Sequence, residues 1–280
     1  MKKNKKKMTP KAFLKRYLRV MVSGAVLLFI LGVAIFAPMI ATHDPYESNI
    51  YNMNKLPSAE HYFGTDCFGR DIFSRVVYGS RVSLSITLTV TTLSIIIGTC
   101  LGLLVGYYKW ADRTIMRFLE GFSAMPGILL TITIITVLGN GIGKMIFAMV
   151  IVRLTGITRL VRQQVLSIKE KEHVECAKAS GASNVRIMFK YILPMCTSPL
   201  IIRFTSGLGG AILNQSSLAF LGVGIDPRVP SWGGVINEGR SMIMIYPYQC
   251  LYAGIAITIT TLAFSIFGDG VRDILDPRLR

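Results

Sequence analysis

Six apolar stretches, near 18–40, 83–108, 118–138, 144–164, 197–221 and 248–268, alternate with polar connections along the chain. Each is about 18 residues or longer with almost no charge. A helix rising ~1.5 Å per residue needs about 20 such residues to cross a ~30 Å hydrocarbon layer. The pattern predicts an all-α integral membrane protein with about six transmembrane helices. The connections are a long polar loop (41–82), a short basic turn (109–117), a Gly-rich turn (139–143), a long charged loop (165–196), a Pro/Gly-rich loop (222–247) and a basic tail (269–280). They leave no soluble domain of any size. The expected organisation is a basic N-terminus (1–17), a first transmembrane helix (18–40), a loop (41–82), a five-helix core (83–268) and the tail.

Composition agrees with a membrane protein. Hydrophobic residues make up 51% of the 280, charged residues only 16%, and the mean hydropathy is +0.51. The run from Leu18 to Ile40 is too long for the apolar core of a cleaved signal peptide, so it is expected to be a retained helix. A net charge of +16 could suggest nucleic-acid binding, but the positions of the basic residues explain it better. The first 19 residues carry nine Lys and Arg. With the N-terminus inside, 22 basic residues fall on the cytoplasmic side and seven on the other, so both termini are expected in the cytoplasm. Arg153 and Arg203, well inside apolar stretches, are the remaining two.

Catalytic parts are scarce. His43, His61 and His173 all fall in predicted loops, so neither an intramembrane Ser–His pair nor a histidine metal site is expected. The five cysteines have no metal-ligand spacing and are expected to be ordinary small residues. Gly139-Asn140-Gly141-Ile142-Gly143-Lys144 has too few residues between its glycines for a phosphate loop, and Met145 stands where a magnesium-holding Ser or Thr is needed. If ATP powers this protein, another chain hydrolyses it.

Two features bear on helix packing. Gly98, Gly102 and Gly106 form a stripe that lets another helix approach closely, either within the chain or from a neighbouring subunit. Pro126-Gly127 predicts a kink in the third apolar stretch.

The charged loop carries the most informative pattern: Glu175-Cys176-Ala177-Lys178-Ala179-Ser180-Gly181-Ala182-Ser183, continuing to Leu193-Pro194. It predicts a short helix, a break at Gly181, and a second amphipathic helix ending near Pro194. Such a loop either docks on a cytoplasmic partner or lies on the lipid surface. It resembles the EAA motif of bacterial ABC-importer permeases, with Glu175, Ala177, Gly181, Leu193 and Pro194 at matching positions. Cys176 replaces the middle alanine, and Tyr191 stands where isoleucine is usual. Gly64-Thr65-Asp66, Gly69-Arg70-Asp71 and Ser74-Arg75 resemble the signature of the dipeptide/oligopeptide/nickel permeases. Pro230-Ser231-Trp232-Gly233, Glu238-Gly239-Arg240 and the stretch from Gly268 to Arg278 are similar to that family's second permease subunit.

The resemblance implies a non-catalytic permease subunit in the bacterial cell membrane. Its partners would be a sister permease, two cytoplasmic ATPases that use ATP and magnesium, and an extracytoplasmic substrate-binding protein. It implies no cofactor held by this chain. It also implies that Glu175, Cys176, Ala177, Gly181, Ala182, Leu193 and Pro194 form a coupling helix and its flanks between the fourth and fifth membrane helices. The cargo would be peptides or peptide-like compounds, including nickel or metallophore chelates. The competing expectation is a secondary transporter that works without an ATPase; it leaves the charged loop without a role and lacks an internal repeat.

Within the membrane, Arg153 is the leading candidate for contact with substrate, because an intramembrane charge faces a cavity or a partner. Either it lines the path and favours a carboxylate, or it has a structural partner. Asn214 and Gln215 form a second polar pair that lines the path or bonds between helices. Asp66, Arg70 and Asp71 either hold the binding protein or staple their own loop.

Overall fold

The structure, a computed structural model, describes residues 10–275, so the basic extreme N-terminus and Arg278 and Arg280 of the tail lie outside the described residues. Helix α1 (Pro10–Ile35) leads into the polar loop, and α2 (Ile72–Tyr107) follows it. After a short helical link and a π-turn (Asp112–Met116) come α3 (Arg117–Ser123), α4 (Gly127–Leu138) and α5 (Ile142–Ile168). The charged loop contains α6 (Glu172–Ala179) and leads into α7 (Leu193–Phe220); α8 (Trp232–Gly239) and α9 (Tyr248–Leu275) complete the chain. Among the described residues there is no strand, only the single bridge Thr65–Asp71.

Among the described residues, four helical stretches are long and apolar enough to cross a membrane: the Leu18–Ile35 part of α1, then Ile72–Tyr107, Asn184–Phe220 and Tyr248–Leu275. A fifth arises if Lys109–Ser123 and Gly127–Leu138 count as one bent span. The kink expected at Pro126-Gly127 is a sharp bend that breaks the 118–138 stretch in two. Its two halves meet at 94°, where Pro126 lacks an N–H and forces Met125 out of helical geometry. The expected span at 144–164 forms the long helix α5. Arg153, Arg159 and Arg162 interrupt its apolar face, and much of it is buried in the bundle.

Helix bounds differ from expectation in informative places. α2 starts at Ile72 rather than near 83, because Arg75, Arg81, Ser74 and Ser80 hide its first turns from a hydropathy reading. The amphipathic helix after Gly181 does not end at Pro194. It passes through a π-turn (Ile187–Ile192), which suits a residue without an N–H at the second position of α7, and continues to Phe220. α9 runs to Leu275, so residues 269–275 of the expected tail are helical. His173 lies in α6, not in a loop.

The bundle is built on α2 against α5. A Cβ added to Gly98, Gly102 or Gly106 would stand 2.7, 2.5 and 2.5 Å from Ile157, Val161 and Val165, so the glycine stripe packs within the chain. α7 and α9 pack together, and α1 lies against α9. One apolar core joins α2, α5 and α7 to the charged loop through Leu103, Val161, Val174, Ile187 and Ile192. At the opposite end Trp232 of α8 closes a second core with Leu84, Ile212 and Phe264. The Gly-rich turn 139–143 joins this end too: Gly141 N–H donates to the Gly224 carbonyl at 3.1 Å, and Asn140 Oδ1 accepts from Gly224 N–H at 3.2 Å.

Candidate functional site

Three places collect the polar residues that the sequence singles out. The first is a cap made of the 41–71 segment, the start of α2 and α8. Asp66 accepts from the N–H groups of Phe68 and Arg70 at 2.8 and 2.9 Å, and its other oxygen takes Arg70 Nε at 2.7 Å. Arg75 Nη2 donates to both oxygens of Glu238, at 3.1 and 3.0 Å across 163 residues of sequence, and Arg70 Nη2 lies 2.8 Å from the same carboxylate. Arg75 also donates to the Pro45 carbonyl. Two carboxylates and two guanidiniums form a buried, neutral cluster. Burial pushes the Glu238 carboxyl above the usual carboxylate range, and the facing Arg75 and Arg70 offset part of that rise.

Asp71 caps α2 by accepting from Ser74 N–H at 2.8 Å. Gly64 and Gly69 have φ of +74° and +73°, and a Cβ on either would collide with the Lys55 or Asn49 carbonyl. Thr65 is fully buried, and its hydroxyl accepts from Lys55 N–H at 2.8 Å and donates to the Asn52 carbonyl. The Gly-Thr-Asp and Gly-Arg-Asp residues thus staple their loop to α2 and α8. None of the three charged residues Asp66, Arg70 and Asp71 is exposed for a partner to grip.

The second place is the charged loop. Helix α6 ends in a Schellman motif: Ala182 N–H donates to the Ala177 carbonyl at 3.1 Å, and Gly181 N–H to the Lys178 carbonyl at 3.1 Å. Gly181 supplies the φ of +79° that this turn needs. Val174 and Ala177 are buried against the bundle, and Tyr107 at the end of α2 donates to Asn184 Oδ1 at 2.7 Å. The opposite face presents Glu175, Cys176 and Lys178 to the outside. Leu193 is half-buried and Pro194 exposed, both in the first turn of α7.

The third place is a cavity of about 340 Å³ between α2, α5 and α7, lined by Thr91, Arg153, Gly156, Arg203, Ser206, Gly207 and Asn214 among others. A second hollow of about 290 Å³, bordered by Gly127, Thr131 and Met149, shares Val152, Arg153 and Asn214 with it. Arg153 Nη2 donates to the Gly207 carbonyl at 2.9 Å. The arrangement is reciprocal: a Cβ on Gly207 would sit 2.7 Å from the Arg153 guanidinium, and one on Gly156 3.4 Å from that of Arg203. Two cations and an amide therefore face one hollow.

Gln215 does not join them. Adjacent residues on a helix point about 100° apart, so Asn214 faces the cavity while Gln215 is wholly buried and lies outside the lining of either hollow. The sequence reading also missed Arg203 as a partner of Arg153, although a second intramembrane charge was visible. It missed a histidine cluster as well: the His43 and His61 rings, placed only in a predicted loop by the sequence, sit 4.6 Å apart beside Glu60 and Asp71.

Known proteins show the same organisation. The family described as binding-protein-dependent transport system inner membrane component matches residues 94–280, and the N-terminal TM domain of oligopeptide transport permease C matches residues 13–57. A dipeptide transport system permease protein, DppC, from Alkalihalophilus pseudofirmus is 43% identical over 89% of this chain and 82% of its own length. The glutathione transport system permease protein GsiD of Pectobacterium atrosepticum is 40% identical over 96% of this chain and 91% of its own. The fold is also similar to a solved inward-facing structure of the MetNI methionine ABC transporter, with a TM-score of 0.59 at 18% identity, covering 72% of this chain and 96% of that one. The chain belongs to the family of binding-protein-dependent inner-membrane transport components, as a non-catalytic, multi-pass permease subunit of a bacterial ABC importer.

Proposed function

We propose that this permease pairs with a sister permease to form the import path for small peptides and peptide-like compounds that bear a free carboxylate. The observation that carries the substrate class is the Arg153–Arg203–Asn214 hollow: two guanidiniums facing one open cleft, with no carboxylate among its lining residues, suit an anionic group. The dipeptide and glutathione transport named for the relatives supports the same class. Carboxylate-rich metal chelates, including nickel or metallophore complexes, share that chemistry.

Energy comes from two cytoplasmic ATPases using ATP and magnesium, and cargo from an extracytoplasmic binding protein. Helix α6 is the coupling element. Glu175, Cys176 and Lys178 meet the ATPase; Ala177, Gly181 and Ala182 hold the helix to the bundle; Leu193 and Pro194 carry its displacement into α7. This reading is supported by a helix that is anchored on one face and open on the other. Both termini and α6 lie on the cytoplasmic side, as the distribution of basic residues suggests. Closure of the ATPases around ATP shifts α6, and the two permeases reopen on the opposite side. Coupling requires the two states to differ in affinity for both ATP and the loaded binding protein.

The test is uptake into proteoliposomes holding the complete complex and its binding protein, offered labelled dipeptide, glutathione, a C-amidated dipeptide and chelated nickel in parallel. ATP-dependent uptake of the free-acid peptides with poor uptake of the amide supports the reading. Uptake that continues without the ATPases makes the chain a secondary carrier and overturns it.

A further inference from the structure

The histidine cluster in the cap is arranged as a metal site. His61 is buried, and its Nδ1 lies 3.0 Å from Asp71 Oδ1. Asp71 is fixed in turn, because its other oxygen caps α2 at Ser74. A carboxylate can only accept, so in the neutral ring that pairs with Asp71 the proton is on Nδ1 and the lone pair is left on Nε2. That Nε2 is buried and has no hydrogen-bond partner. An imidazole whose one nitrogen is held by a carboxylate while the other offers a bare lone pair has the outer-sphere arrangement of metal-bound histidines.

Two further donors stand beside it. His43, Glu60 and His61 each bring a ligand atom, and the three atoms lie within 4.8 Å of one another. The His43 ring is tilted 34° to that of His61; its Nδ1 pairs with Thr42 Oγ1 at 3.0 Å, and its backbone N–H donates to Ser74 Oγ. Ligand atoms around a tetrahedral zinc at ~2.0–2.2 Å stand about 3.5 Å apart. The trio therefore has to draw in by about 1 Å, which an exposed Glu60 and a part-exposed His43 can do by changing rotamer.

We propose that His43, Glu60 and His61 bind a zinc-class divalent transition ion in the cap, with Asp71 as the positioning carboxylate and water in the fourth position. Two neutral imidazoles and one carboxylate suit zinc rather than magnesium or calcium, which prefer shells of oxygen. The ion is a resident staple and not cargo, because the site lies in the cap and shares no residue with the Arg153 hollow. It ties the segment that follows α1 to the loop before α2, and an ion that binds only the folded cap stabilises it.

The test uses the complete complex purified without a polyhistidine tag, stripped with chelator, and titrated with zinc against a chromophoric competitor. His43→Gln and Glu60→Gln are compared with the unaltered protein, since both residues sit at the surface of the cap and outside its ion-pair cluster. One zinc per copy of this chain is expected, weakened at least tenfold in each variant, together with a zinc-dependent rise in unfolding midpoint that the variants lack. Cobalt at the same site should give the absorption of a tetrahedral centre. Zinc affinity and midpoint shift that are the same in the variants as in the unaltered complex, or no zinc-dependent shift in the unaltered complex, would overturn the proposal.

Discussion

Arg153 on α5 donates to the main-chain carbonyl of Gly207 on α7 at 2.9 Å, and the missing side chain of Gly207 is what lets the guanidinium lie there. The contact gives Arg153 one partner and leaves the rest of its fork facing the cavity. An arginine held this way joins two helices and keeps donors free toward the cavity, so the path and structural roles expected for it are compatible.

Substitution at this pair separates the roles. Arg153→Ala is expected to cut uptake of a free-acid dipeptide about 10- to 100-fold, from the loss of about 1.5–3 kcal/mol of a charged hydrogen bond. Uptake of the C-amidated analogue should change little. If only the unfolding midpoint falls and the substrate profile is unchanged, Arg153 is a staple. Gly207→Ala, which pushes a methyl to within 2.7 Å of the guanidinium, should reproduce the transport defect with the arginine still present.

The cap cluster makes a stability prediction. Glu238→Gln leaves Arg75 and Arg70 with a neutral partner in a buried setting, and breaking a buried pair costs about 3–5 kcal/mol. Limited proteolysis should then cut within residues 41–71 at protease levels that spare the unaltered protein. Equal resistance would mean that the backbone bonds of Thr65 and Asp66 suffice to hold the loop.

Gly181 has open space around its α-carbon but a φ of +79°, so only backbone conformation opposes a side chain there. Gly181→Ala should cost about 1 kcal/mol locally. It should lower stimulation of ATPase activity by the loaded binding protein more than it lowers assembly. Gly181→Asn should be milder, because asparagine tolerates the left-handed region. Unchanged stimulation in both variants would argue against α6 as the coupling element.

Gly102 tests the bundle itself. A Cβ there stands 2.5 Å from that of Val161, so Gly102→Ala has to push α2 and α5 apart, at about 1–3 kcal/mol for overpacking. A lower yield of assembled complex and a lower unfolding midpoint are expected. Gly121→Ala, where nothing lies within 4 Å of the added Cβ, is the control.

What the sequence determined by itself was local or compositional. Long apolar runs have one stable form in lipid, so the all-helical membrane architecture followed from hydropathy. The break at Gly181 and the bend at Pro126 followed from backbone chemistry that a single residue imposes. The family signatures were legible as residue patterns, but their purpose was not. Arg75 meets Glu238 only because α2 and α8 pack together, so a charge that hides the first turns of α2 from hydropathy is satisfied by a partner 163 residues away. The same limit separated Asn214 from Gln215, neighbours in sequence on different helix faces. It also brought His43 beside His61, eighteen positions apart, through the fold of the cap. Periodicity and single-residue stereochemistry act over a few residues, whereas buried charge, cavity lining and candidate metal ligation depend on which elements meet, and only the tertiary structure decided that.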